Sequence, residues 1–293
     1  MVRTDRRAAV ALPAVPLTRD NGSPKLTRVF GRVVMLFCAI TSLLPGAAPD
    51  PRRELEAALE KLKASGTYSW RESRQLETQR QPVEPFGFGR TTVNGYTFAT
   101  LIWLNNARVA FREREVAIQT PAGWRRSSSL DDREIETIWP GLHEKMPNLP
   151  TRVRRLAHTP LHVLLPVILP LATRLQRDDG DIVGEIGAGR SHWGLVYDLL
   201  LWGGSPHFIP GRGVMSQSHD GGGSGVIFRA RLQAGAIQRV EITLTMPHPG
   251  RTTPGGEPLV YRNVFVIDIV ETGFPKPEPD PEVEALLGSP PQR

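Results

Sequence analysis

Apolar positions follow two periods along this chain. Leu55, Ala58, Leu59 and Leu62 recur at i, i+3, i+4 and i+7, one narrow apolar stripe on a helix. Asp50 suits its cap, Pro51 its first turn, and Gly66 a left-handed exit. The period then falls to two. It predicts strands over about Thr67 to Glu77, Gly87 to Val93, Tyr96 to Leu104 and Arg108 to Thr120, with another from Trp124. Asn94-Gly95, Asn105-Asn106 and Thr120-Pro121-Ala122-Gly123 supply the turns of an antiparallel meander.

From Ser127 to Trp202 the texture is mainly helical, with candidate helices at Leu130 to Trp139, Thr159 to Gln176 and Arg190 to Trp202, and a short strand near Asp181 to Ile186. The run LHVLLPVILPLATRL, Leu161 to Leu175, is too short to span a bilayer, which needs about 20 apolar residues. Thr159 and Pro160 read as the cap and first residue of its helix. Pro166 and Pro170 each remove a backbone donor, so a kinked or split helix follows, with Leu165, Ile168, Leu169 and Ala172 turned toward the sheet. Residues 203–225 are rich in Gly and Ser and read as a flexible loop. Beyond it, Val226, Phe228, Ala230 and Leu232 share a face with Val240, Ile242, Leu244 and Met246 in a hairpin turning at Ala234-Gly235. Leu259 to Gly273 is apolar on both faces near Val264 to Val270, the mark of a central strand, and Pro281 to Leu287 reads as a closing helix. The class is α+β: one antiparallel sheet with helices gathered on one face.

The 293 residues carry a formal charge of +6, but the excess belongs to the first fifty. Outside them, 29 Lys and Arg face 27 Asp and Glu, about +2, which removes the case for a nucleic-acid partner. A basic segment ending at Arg32, an apolar run from Val33 to Leu44 and small residues through Ala48 read as a secretion leader over residues 1–48. The domain then covers 49–293 with a helical insert at about 127–202, and the expected location is the periplasm or cell envelope. Retention as an uncleaved anchor, or lipid attachment at Cys38, are the alternatives. Cys38 is the only cysteine, so removal of the leader leaves neither disulfides nor a thiol nucleophile.

No motif specifies a reaction. His158 and His162 have the i, i+4 spacing of a metal pair, but Pro160 puts His158 outside the helix. Ser216, Ser218, His219 and Asp220 imitate a triad in a glycine-rich loop without rigid support. His143-Glu144 lacks the second histidine of a zinc helix. Asp178 to Asp181 lacks the alternation of a calcium loop and reads as a turn, and Arg152, Arg154 and Arg155 are a solvated turn or the rim of a site. No cofactor is expected. Large aromatics between sheet and helices are core or cavity wall.

The helix before Gly66-Thr67-Tyr68-Ser69-Trp70, the Gly123-Trp124 hairpin, the insert ending in LVYDLLLW, the hairpin FRARLQAGAIQRVEITLT and the strand before PEVEALL together resemble exported bacterial proteins of the LolA/LolB lipoprotein-carrier type. The likeness spans roughly Pro51 to Leu287. It implies a curved antiparallel half-barrel whose concave face is plugged by helices around an apolar cavity, and a non-enzymatic role. It also implies a buried arginine that holds a lid closed through backbone carbonyls, for which Arg71, Arg74 and Arg90 are candidates. The cavity candidates are Trp70, Trp103, Leu165, Ile168, Leu169, Trp193, Leu199 and Trp202. The expected ligand is a lipid, an acyl chain or a lipidated peptide, with peripheral membrane contact. The alternatives are an envelope module holding a protein partner and, last, a hydrolase using His219 or His143.

Overall fold

The computed structural model describes residues 50–75, 83–113, 115–146, 148–186, 195–196, 199–200, 225–278 and 280–288. Helix α1 (Pro51–Ala64) starts as its sequence dictates. The Asp50 carboxylate accepts from the Arg52 amide at 3.0 Å, and Gly66 leaves at φ +71°. Its stripe of Leu55, Ala58, Leu59 and Leu62 is buried.

Two meanders follow. The first runs outward through β1 (Thr67–Gln75), β2 (Glu84–Thr92), β3 (Thr97–Leu101), β4 (Ala107–Arg112), β5 (Glu115–Thr120) and β6 (Gly123–Arg126). The second runs inward through β7 (Ala172–Asp178), β8 (Asp181–Ile186), β9 (Gly225–Gln233), β10 (Ala236–Thr252) and β11 (Pro258–Thr272). Antiparallel pairing of β1 with β11 joins them into one sheet of eleven strands. The edges, β6 and β7, do not pair with each other, so the sheet stays open, and strand twist over this many strands makes it coil. This is the expected antiparallel α+β half-barrel architecture.

Period two then separates two faces. Trp70, Ala99, Val109, Ile118, Ile269 and Phe228 point to an inner layer with α1 and the inserted helices α2 (Asp132–Ile138), α3 (Leu142–Lys145), α4 (Leu149–Arg154) and α5 (Leu161–Ile168). Tyr96, Ala110, Ala117 and Trp124 point outward, where the closing helix α6 (Pro281–Leu287) covers them with Val283 and Leu287. Helix α6 is also tied by polar contacts: Trp124 Nε1 donates to Asp280 at 2.9 Å and Arg112 to the Leu287 carbonyl at 2.6 Å.

Four local expectations need correction. The stretch Arg108 to Thr120 is two strands, because Glu113 takes φ +51° and the chain reverses between Arg112 and Glu115. The helix expected to run to Gln176 ends at Ile168. A 3₁₀ turn, Leu169–Leu171, follows, and from Ala172 the chain is edge strand paired with β8 across the Asp179-Gly180 turn. Pro170 supplies no amide to continue the helix, and the neighbouring strand offers the partners that the helix does not. Its cap is Pro160 rather than Thr159, and Trp103 sits in a 3₁₀ turn (Ile102–Leu104) rather than on a strand.

Candidate functional site

The inner face between the sheet and the insert holds six of the eight sequence-predicted residues. Helix α5 delivers Leu165 and Ile168, both fully buried, and the 3₁₀ turn delivers Leu169, 4% exposed. Arg52 ties the turn after α5 to α1, donating to Leu169 O at 3.2 Å, which also accepts from the Ala172 amide, and to Ala172 O at 3.3 Å. Trp70 lies flat beneath because Gly89 faces it: a Cβ there would stand 2.8 Å from the indole and 2.5 Å from the Phe98 carbonyl. Its Nε1 donates to Thr91 Oγ1 at 3.0 Å. Trp70, Leu165, Ile168 and Leu169 thus join one apolar cluster, with Trp103 and Leu199 packed part-buried against it. Trp193 and Trp202 lie outside the described residues, as do Ser216, Ser218, His219 and Asp220 of the triad-like segment.

Two polar groups interrupt this apolar layer. The first is an ion pair on β1: Arg74 Nε lies 2.6 Å from Glu72 Oε1, with the side chains only 11% and 7% exposed. Arg74 also donates to the Leu200 carbonyl of the insert at 3.2 Å, and its guanidinium lies 3.5 Å from the centre of the Phe86 ring. Phe86 in turn stacks on Trp103 at 5.6 Å. Of the three candidate arginines, Arg74 is therefore the one that reaches a helix carbonyl from beneath; Arg71 and Arg90 are exposed. Strand geometry carried this signal, since Tyr68, Trp70, Glu72 and Arg74 alternate onto one face.

The second is a histidine pair. His158 stacks on Trp70 at 4.5 Å and meets Phe111 at 5.5 Å. Its Nε2 has no hydrogen-bond partner among the described residues, and neither has Trp103 Nε1. His162 Nδ1 lies 2.9 Å from the Tyr68 hydroxyl. Burial pushes His158 down to about 3, helped by the nearby Arg74 and His162 charges, and pushes His162 down to about 4, helped by Lys63. Both imidazoles are therefore neutral near pH 7. Burial raises the Tyr68 phenol well above its usual range, so it keeps its proton beside His162 Nδ1. His158 precedes the helix, as Pro160 leads one to expect; one ring packs between aromatics and the other bonds to a phenol, and no group of three metal-binding side chains occurs among the described residues.

A groove of about 570 Å³ opens beside His162, lined by Glu60, Lys63, Val93, Asn94 and Val163. Arg154, of the basic turn, is engaged with Asp132 at 2.6 Å and the Leu130 carbonyl at 3.2 Å. No described helix is long and apolar enough to cross a membrane.

No family model and no curated protein matches this sequence. Among solved structures, the chain is similar to the lipoprotein LppX of Mycobacterium tuberculosis, at 10% identity over 79% of this chain and 99% of that one, with a TM-score of 0.36. It is similar also to LprF of Mycobacterium bovis, at 12% identity over 80% and 98%, again with a TM-score of 0.36.

Proposed function

We propose that this chain is an exported, non-enzymatic binding protein that shelters a lipid, an acyl chain or a lipidated peptide between its sheet and its inserted helices. The observation that carries this reading is the contact of Arg74 with both Glu72 and the Leu200 carbonyl. A charged side chain is costly on an apolar face, and well-packed hydrophobic residues would serve a permanently closed core as well or better. A buried guanidinium joining sheet to insert suits a latch that closes over the inner face and opens when something else fills it.

In this reading the described conformation is the closed one, with Leu165, Ile168 and Leu169 occupying the place of the ligand. The proline-split helix is the part that yields. Its helical hydrogen bonds are already interrupted at Pro166 and Pro170, so displacing it sacrifices fewer of them than displacing α1 would. An acyl chain replacing those side chains contributes about 0.8 kcal/mol per buried methylene.

Organic extraction of protein purified from the envelope, with mass spectrometry of the extract, and displacement of a fluorescent fatty acid are the tests. A co-purifying lipid and saturable displacement are expected. Blank lipid assays alongside recovery of an envelope protein would replace this reading with a partner-binding module. Turnover in a substrate screen that is lost on replacing His143 and His219 by alanine would replace it with a hydrolase.

A further inference from the structure

The outer face of the sheet divides into three zones. Over β4 to β6 it is covered by α6. Over β8 to β11 it carries a ladder of ion pairs, Arg229 and Arg231 on Asp181 and Arg239 on Asp268. Between them, over β1 to β4, lies a third zone. The strand register sets Arg71 opposite Phe88, Phe88 opposite Thr100 and Thr100 opposite Arg108, one row across four strands, with Arg90 two residues along β2. Val270, at the bulge where β1 meets β11, borders the row.

These side chains are unusual in two ways. Arg71, Arg90 and Arg108 are exposed, and among the described residues none makes an ion pair or hydrogen bond; Arg90 rests only against the Phe274 ring at 5.2 Å. Two apolar side chains stand between and beside them, with Phe88 47% and Val270 54% exposed. The carboxylates facing the row come from β11: Asp268, which the register sets opposite both Arg71 and Arg239 and which pairs with Arg239 at 3.7 Å, and Glu271, opposite Ser69.

We propose that this zone is a docking surface for an anionic lipid bilayer. Three guanidinium groups outside any described ion pair, spread over about 14 Å, the width of three strand spacings, match the plane of a phosphate-bearing surface. Single apolar side chains set among them match the interfacial depth, where an aromatic ring enters the acyl boundary while arginines stay with the headgroups. An acidic protein partner fits less well. Stable protein interfaces centre on a packed aromatic or apolar cluster, and here the apolar side chains are isolated from one another by charge. The zone lies on the face opposite the latch and does not depend on what the inner face holds.

Flotation of the full chain with vesicles of equimolar phosphatidylglycerol and phosphatidylcholine tests this against the triple variant Arg71→Gln, Arg90→Gln, Arg108→Gln. The leader is common to both proteins, so their difference belongs to the patch. At about 1 kcal/mol per basic residue near such a surface, partitioning of the triple variant falls roughly 100-fold. Phe88→Ser alone weakens it several-fold, and circular dichroism of both variants matches the parent because every altered side chain is exposed. Equal partitioning of parent and triple variant overturns the proposal. So does equal binding of the parent to phosphatidylcholine alone, or capture by the patch of an acidic protein with no vesicle dependence.

Discussion

The same sheet carries two arginine–carboxylate systems, one on each face, and they are built for different ends. On the outer face Asp181 is covered, 3% exposed, yet its cover is the two guanidinium groups of Arg229 and Arg231, which themselves reach water. On the inner face Glu72 and Arg74 are both enclosed, by the Phe86 and Phe265 rings and the Leu200 carbonyl. The outer ladder sits in high dielectric, where such pairs contribute little and salt screens them. The inner pair sits where each partner depends on the other. One face carries its charges where water reaches them; the other places charge where it joins sheet to insert.

Replacing one inner partner is the most severe way to break that contrast. Arg74→Leu leaves the Glu72 carboxylate enclosed and unpaired, and is expected to destabilise the protein by about 3 to 5 kcal/mol in urea titrations. The paired change Arg74→Leu with Glu72→Leu removes both charges and should recover most of that loss. If the double variant is as unstable as the single one, the cost lies in lost packing on Phe86 and not in the orphaned charge. In the same layer Leu165→Ala empties a fully buried position on α5 and should cost about 2 to 5 kcal/mol. A smaller loss would mean that the split helix collapses into the space, which is the yielding the ligand-binding reading needs.

Acid separates the faces next. His158 and His162 have folded values depressed to about 3 and about 4 from the ordinary 6.5, so the unfolded chain binds protons first as pH falls. Stability should therefore decline from about pH 6.5 downward through about pH 4 to 3, by about 1.4 kcal/mol per pH unit for each histidine between its two values. Titratable groups facing the pair include Arg74 from β1, Tyr68 from β1 and Lys63 from α1; of these Arg74 and Lys63 carry charge in this window and both oppose protonation. The double variant His158→Phe with His162→Gln should flatten that slope between pH 6 and 4. A parent whose unfolding midpoint does not move over that range would show that the rings are hydrated.

The broad architecture was legible because period two and turn chemistry are local. Asn94, Asn105 and Gly235 adopt the positive φ expected of their turns, and the both-faced apolar run in β11 did mark a central strand. What failed was local information overridden by a distant partner. Ala172 to Asp178 continues a helical run in sequence and becomes strand because β8 stands beside it, and Glu113 reverses the chain without glycine or asparagine to announce it. The polar cluster was harder for the same reason. His158 and His162 look like a spacing motif, while their real neighbours Trp70, Phe111 and Tyr68 come from strands remote in sequence. Arg74 was visible only as one of three arginines until pairing and burial distinguished it from Arg71 and Arg90.

The smallest expected effect belongs to the outer ladder and completes the comparison. Arg231, by its hydrogen bond first and then by its charge, and Arg229 after it hold the Asp181 carboxyl below the usual carboxylate range against the opposing effect of burial. The group is therefore ionised at neutral pH, and the stability it lends is lost only as pH falls past the ordinary carboxylate value and through the lowered one, from the acid end of the histidine window downward. Asp181→Asn keeps the shape and removes the charge, and should cost about 1 kcal/mol or less at low salt, since its partners remain solvated. Raising the ionic strength to about 1 M, where the screening length falls to about 3 Å, should bring parent and variant together. The Arg74 variant should show no such convergence, because salt does not reach a pair enclosed by Phe86 and Phe265. If Asp181→Asn instead costs as much as Arg74→Leu and is indifferent to salt, the outer ladder is a buried network and the two faces do not differ in kind.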